Sequence, residues 1–190
     1  MNKFYQLRRS WPDSFASVRI DRKAAGTADH LEVYKRPCHE DYLSLFKITA
    51  YNAGLLPDLL PNNFGWSIVS PRFCELLESF QGGGKPVLTR ADSMTSELKL
   101  PELAGYRLVS TRLVLDCLDL SSSWLEWFDD SKKVLKAYQK LTLIGNSIPL
   151  SACFFGVVRA PFMHILREDL WGHLVKARLT GVRFVECDVS

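Results

Sequence analysis

The chain has 190 residues, of which 47% are hydrophobic, 24% charged and 12% aromatic, and its formal net charge is +3. These values are typical of a folded domain with a sizeable core and exclude a disordered chain. The 24 Lys and Arg residues are scattered, with no cluster longer than a pair, which argues against a nucleic-acid-binding protein. We therefore expect one domain over residues 1–190.

The sequence favours a cytoplasmic location. Its first residues carry no continuous apolar stretch of the kind found in a signal peptide, and no window approaches 18 apolar residues, so we expect no membrane association. The five cysteines are widely spaced and include no Cys-x-x-Cys pair. This pattern predicts reduced thiols in a core rather than disulfides or a zinc site.

The first 60 residues give the weakest assignment. Residues 3–7 predict a short strand, and residues 8–30 are polar and predict a long loop or a weak hairpin. Apolar spacing over 39–49 indicates a helix. Residues 52–65 contain several Pro, Gly and Asn residues and predict a loop.

Residues 66–89 form the clearest unit, a strand–helix–strand segment. The strand at 66–69 is followed by Ser70, a favourable N-cap, and by Pro71, which suits the first position of a helix. Apolar residues then recur with helical spacing as far as Phe80, and a run of three glycines ends the helix before a strand at 87–88.

The middle of the chain predicts several strands. They are expected at 106–109 and 112–118, as one long strand or two, and at 140–144 and 153–158. The apolar spacing of Val134, Leu135 and Tyr138 indicates a short helix between them.

A second strand–helix–strand unit covers 163–187, with Gly181 ending its helix. An offset of 97 residues superposes the two units and matches Phe73 with Leu170, Leu77 with Leu174 and Val87 with Phe184. The match indicates either a duplication or only the similarity that any two such units share. The fold class predicted is α+β, a single domain with a mixed sheet and two strand–helix–strand units.

The candidate catalytic motifs each have a structural explanation. The glycines before Lys85 follow a helix instead of preceding one, so they do not form a phosphate-binding loop. Cys38 and His39 are adjacent in sequence, which does not bring a thiol and a base into contact. No His or Cys has the spacing of a zinc site. We therefore predict no catalytic, cofactor-binding or metal-binding residues, and a protein that is not an enzyme.

One segment is a candidate partner-binding surface. Residues 121–130 read Ser-Ser-Ser-Trp-Leu-Glu-Trp-Phe-Asp-Asp. One helical turn would place three aromatic residues on one face, with acidic residues at its rim, as a contact with a basic protein surface requires. The alternative is that this segment only covers the core. The candidate contact residues are Trp124, Glu126, Trp127, Phe128, Asp129 and Asp130.

Several stretches together resemble a known family. They are Gly-Trp-Ser-Ile-Val-Ser-Pro-Arg-Phe at 65–73, Tyr-Arg-Leu-Val at 106–109, Val-Leu-Asp-Cys-Leu-Asp-Leu-Ser-Ser-Ser at 114–123, and Leu-Thr-Gly-Val-Arg-Phe at 179–184. In this order they resemble the bacterial immunity proteins of immunity family eleven, over roughly residues 60–187. The chain departs from that pattern at Arg167, where family members often have a Ser N-cap.

The resemblance implies an immunity protein. Such a protein binds and neutralises a cognate toxin of a polymorphic-toxin or secretion system, such as type VI secretion, in the cell that produces it. It implies a toxin protein as the partner and no catalytic residues. The alternatives are an enzyme of unrecognised chemistry and a generic protein-binding scaffold subunit.

Overall fold

The computed structural model describes residues 2–10, 14–22, 46–52, 54–83, 87–90, 103, 105–128, 130–131 and 134–190. Two α-helices and fourteen strands lie within these residues. The helices are α1 (Pro71–Ser79) and α2 (Glu168–Lys176). The strands are β1 (Phe4–Arg9), β2 (Ser17–Arg22), β3 (Phe46–Asn52), β4 (Leu59–Leu60), β5 (Ser67–Val69), β6 (Val87–Arg90), β7 (Arg107–Ser110), β8 (Val114–Leu115), β9 (Trp124–Trp127), β10 (Leu135–Lys140), β11 (Thr142–Leu143), β12 (Phe154–Val157), β13 (Ala160–Arg167) and β14 (Val182–Val189).

The strands form two main sheets and two two-stranded ribbons. The large sheet has the order β11-β14-β1-β13-β12-β8, and the small sheet has the order β4-β5-β7-β6. The large sheet is mixed, because β11 runs parallel to β14 and β8 parallel to β12 while its other pairs are antiparallel. The predicted α+β class with a mixed sheet is confirmed.

Both predicted strand–helix–strand units are present and have the same topology. In each unit the two strands flank a third, antiparallel strand. β7 lies between β5 and β6, and β1 lies between β13 and β14. Along the chain, the middle strand β7 follows the first unit, whereas the middle strand β1 precedes the second.

The strand pairing shows which residues of the two units occupy equivalent positions. Ser67 pairs with Val109 and His164 pairs with Leu7, so Ser67 and His164 are equivalent and the 97-residue offset holds in these strands. Beyond the helices the offset is 96, because Leu88 pairs with Val109 where Phe184 pairs with Leu7. The predicted match of Val87 with Phe184 is therefore wrong by one residue.

A common core joins the two units. Phe73 and Leu77 of α1, Leu170 and Leu174 of α2, and residues from one face of each main sheet form a single buried cluster. The other face of each main sheet is covered by a ribbon. β2 and β3 pack on the small sheet, and β9 and β10 pack on the large sheet.

Helix α1 begins as predicted. The side chain of Ser70 accepts a hydrogen bond from the backbone N–H of Phe73, and Pro71 is the first helical residue. At α2, Arg167 occupies the N-cap position without a side-chain cap, and Glu168 and Asp169 place negative charge in the first turn. This charge favours the helix through its dipole.

Two predicted helices are strands instead. Residues 46–49 of the predicted helix at 39–49 belong to β3, and the remainder lies outside the described residues. The predicted helix around Val134 to Tyr138 is β10. Its pairing with β9 shifts register between Leu135 and Ala137, and such a bulge interrupts the alternation expected of a strand. The strand predicted at 112–118 is much shorter, because β8 contains only Val114 and Leu115.

No helix among the described residues is long and apolar enough to span a membrane.

Candidate partner-binding surface

The candidate contact segment forms an antiparallel ribbon with the strand that follows it. Trp124 of β9 pairs with Lys140 of β10, and Trp127 pairs with Leu135. One face of this ribbon packs on the large sheet, so its other face lies outward.

The prediction of a helical turn at Trp124 to Phe128 is wrong, and the strand separates the aromatic residues. Trp124 is 66% exposed and Phe128, directly after the strand, is 54% exposed. Trp127 instead packs, partly buried, against the core together with Leu125. Because successive residues of a strand point to opposite faces, Trp124 and Glu126 share the outer face while Trp127 belongs to the inner one.

The acidic rim is weaker than the sequence indicates. Glu126 forms an ion pair with Lys136 of the neighbouring strand. Asp130 is exposed, and Asp129 lies outside the described residues. Among the described residues, the outer face of β9 therefore combines the exposed Trp124 ring with a carboxylate, Glu126, whose charge is partly neutralised.

An open groove of about 480 Å³ runs along the ribbon. Its lining combines apolar and polar side chains from both strands: Trp124, Leu125, Glu126, Ala137, Tyr138 and Gln139.

The ribbon is attached to the large sheet through Tyr138. Its hydroxyl donates to the side-chain oxygen of Gln6, a buried residue of β1. Gln6 also accepts a hydrogen bond of 2.7 Å from Nε of Arg8, and the Arg8 guanidinium lies 4.6 Å from the centre of the Tyr138 ring. Burial raises the pKa of Tyr138, so the hydroxyl is a donor at neutral pH. These contacts fix the position of β10.

A turn fixes the start of β9. One carboxylate oxygen of Asp119 accepts hydrogen bonds from the backbone N–H groups of Ser121 and Ser122 and from the Ser121 hydroxyl. The Ser121 hydrogen bond is the main cause that lowers the pKa of Asp119. Ser123 then accepts from the backbone N–H of Thr142 at 2.9 Å. The Leu-Asp-Leu-Ser-Ser-Ser stretch thus holds Trp124 in place.

The closing Leu-Thr-Gly-Val-Arg-Phe stretch joins the two units. One oxygen of the buried Asp58 carboxylate accepts hydrogen bonds from the backbone N–H and the hydroxyl of Thr180, at 2.8 and 3.0 Å. The other oxygen accepts from the Ser70 hydroxyl at 2.7 Å. Gly181 has a φ of +71°, and a Cβ at this position would lie 2.7 Å from the Leu59 carbonyl oxygen. Only glycine fits there without strain.

The cysteines of the described residues are buried thiols. Cys74, Cys117, Cys153 and Cys187 are free. Burial raises the pKa of Cys74 and Cys117 to about 11 and that of Cys187 to about 12. A thiol with such a pKa is a poor nucleophile at neutral pH. Cys38, His39 and Lys85 lie outside the described residues.

The two described histidines occupy structural positions. His164 is buried, its Nδ1 lies 3.0 Å from the Ser67 hydroxyl, and its ring stacks on Phe154. His173 packs beside the Phe80 ring. Within the described part of the chain, no three His, Cys, Asp or Glu residues are grouped as metal ligands.

Sequence reasoning missed Gln6, Arg8 and Tyr138 as parts of this surface. Each is an ordinary residue in its own strand, and only the pairing of β1 with the sheet brings Gln6 to the ribbon.

No protein-family model matches the chain, and no curated protein matches its sequence.

Proposed function

We propose that this protein binds and neutralises a cognate bacterial toxin and that the outer face of the β9–β10 ribbon contacts the toxin. The observation that carries the proposal is the exposure of Trp124 and Phe128 on a ribbon whose inner face is fixed to the core. Large aromatic residues held in a defined position are typical centres of protein–protein interfaces.

The rigid attachment of the ribbon supports a binding role. The Gln6 and Asp119 contacts set the position of both strands before any partner arrives. Little conformational entropy is then lost on association, which favours tight binding. The groove beside Trp124 offers space for a side chain of the partner.

The sequence resemblance to immunity proteins supports a toxin as the partner. We infer that the protein acts in the cytoplasm of the toxin-producing cell, as a single domain, and blocks the toxin by occupying its surface without chemistry of its own. The partner is a protein and not a nucleic acid, in keeping with a net charge of only +3 spread over the sequence.

The test is co-expression with the toxin encoded beside this gene in its native genome. We expect the wild-type protein to restore growth and to form a complex in isothermal titration calorimetry. Trp124→Ala should weaken that complex at least tenfold. The control is Leu150→Ala, which truncates a still more exposed apolar side chain elsewhere (82% exposed) and should leave binding unchanged. If the wild-type protein neither restores growth nor forms a complex, the proposed function is wrong.

A further inference from the structure

Two arginines lie directly opposite each other on the large sheet. Arg8 of β1 pairs with Arg183 of β14 in the antiparallel register. Opposed residues in such a pair point to the same face of the sheet, with Cβ atoms about 5 Å apart. Arg8 lies against Tyr138, so both guanidinium groups are on the face that carries the β9–β10 ribbon.

No carboxylate pairs with either arginine among the residues the structure describes. Arg8 contacts the neutral side chains of Gln6 and Tyr138, and Arg183 is exposed. Like charges in directly opposed positions destabilise a sheet. The neighbouring cations, in contrast, have acidic partners on strand β14. Lys3 pairs with Glu186, and Lys140 pairs with Asp188.

Arg8 is held in a defined position. Its Nε donates to Gln6, whose oxygen also accepts the Tyr138 hydroxyl, and its guanidinium lies over the Tyr138 ring. Tyr138 also lines the groove of the ribbon. Through Tyr138, Arg8 therefore adjoins the groove that Trp124 also lines. Planar guanidinium groups fixed in this way suit carboxylates, which they bind with two parallel hydrogen bonds.

We propose that Arg8 and Arg183 together bind the carboxylate of an acidic segment of the partner protein, beside the groove lined by Trp124 and Tyr138. The inference rests on the proposed function in taking the partner to be a protein. It goes further by assigning the partner an acidic group at this point and by giving Arg183 of the Leu-Thr-Gly-Val-Arg-Phe stretch a role in recognition.

The first experiment needs no toxin. A synthetic octaglutamate peptide is titrated into the ¹⁵N-labelled protein at low salt, and the Arg Nε–Hε signals are followed by NMR. We expect the Arg8 signal to shift and to saturate as the peptide is added. Arg183→Gln should lower the affinity for the peptide at least tenfold, and 0.5 M NaCl should abolish the shifts. The matched control Arg112→Gln removes one exposed arginine elsewhere and should leave the affinity within twofold of wild type.

The outcomes are distinct. If Arg183→Gln and Arg112→Gln lower the affinity for octaglutamate equally, the proposal is overturned, because binding would then reflect net charge alone. It is also overturned if the Arg8 signal does not shift. If a single-stranded octathymidylate shifts the same arginine signals and binds more tightly than octaglutamate, the proposal is also overturned, in favour of a phosphate site. Arg183→Gln should melt at the wild-type temperature or above, since it removes a like-charge contact. A lower melting temperature contradicts a role in recognition.

The second experiment separates this inference from the proposed function. In calorimetry with the neighbouring toxin, Arg183→Gln should weaken the complex at least tenfold, and Arg112→Gln less than twofold. If the toxin binds wild type and Arg183→Gln equally, the arginine pair is not part of the interface while the proposed function stands. If the toxin does not bind at all but octaglutamate shifts Arg8 as expected, the proposed function fails and the carboxylate site stands.

Discussion

The hydroxyl of Ser67 lies 3.0 Å from Nδ1 of His164, and these two residues hold equivalent places in the two strand–helix–strand units. Both side chains point from their sheets into the common core. The hydrogen bond therefore joins the two units at the point where matching strands face each other. His164 is buried there, and desolvation lowers its pKa to about 4.

This contact predicts acid sensitivity. The folded protein keeps His164 neutral while the unfolded chain binds a proton near pH 6.5, so stability is full above pH 6.5 and is lost as the pH falls toward 4. The shift corresponds to about 3 kcal/mol of unfolding free energy. The pKa values of Asp119 and Asp169 are lowered by folding, so protonation of these two carboxylates reduces stability further only below about pH 4. Urea unfolding at pH 7 and pH 4.5 measures the effect.

The variant His164→Asn should be less stable at pH 7 but nearly independent of pH between 6.5 and 4.5. His173→Gln is the control and should keep the wild-type loss, because His164 is still present. An unchanged pH dependence in His164→Asn would show that another group is responsible.

The Asp58 carboxylate should be a strong contributor to stability. Asp58→Ala leaves the Ser70 and Thr180 donors without their acceptor and should lower the unfolding free energy by about 3 kcal/mol, measured by urea denaturation. Asp116→Ala removes an exposed carboxylate and should change stability by less than about 0.5 kcal/mol. Equal effects of the two changes would refute the role given to Asp58.

Two glycines should respond in opposite directions to alanine. Gly181→Ala places a Cβ against the Leu59 carbonyl at a positive φ and should cost at least about 2 kcal/mol. Gly172 lies inside α2, and a Cβ added there would meet no atom of the surrounding structure within 4 Å, so Gly172→Ala should stabilise by about 0.5–1 kcal/mol. Thermal melting of both variants decides, and a stable Gly181→Ala protein contradicts the close contact.

The two tryptophans of β9 should separate binding from stability. Trp127→Ala removes a ring packed on the core and should lower stability by about 2–3 kcal/mol. Trp124→Ala should change stability by less than about 0.5 kcal/mol. Chemical denaturation of the two variants tests this difference, and a Trp124→Ala loss as large as that of Trp127→Ala would place both rings in the core.

The units with strong local signals could be predicted from the sequence. Ser70 and Pro71 mark the start of α1, and the apolar spacing of both helices matches the cluster in which they pack. The ribbon could not be predicted in the same way. Trp-Leu-Glu-Trp-Phe has aromatic residues at i, i+3 and i+4, a spacing that fits a helix as well as a strand. In β10 the register shifts disguise the strand further.

The arginine pair was beyond prediction for a different reason. Arg8 and Arg183 are 175 positions apart, and only the register of β1 against β14 brings them together. Each of them alone is an ordinary charged residue of a strand. The exposure of Trp124 and the burial of Trp127 likewise depend on which face of the ribbon meets the large sheet.

The placement of β1 between β13 and β14 has a consequence for how the protein forms during translation. Strand β1 leaves the ribosome before both of its neighbours, which are encoded more than 150 positions later. The small sheet, whose strands β4 to β7 are close in sequence, has all of its partners at hand much sooner. Contacts between distant residues form slowly because a long loop must close first. The nascent chain must therefore carry β1 unpaired while the intervening residues are made, and the large sheet is completed only when β14 emerges.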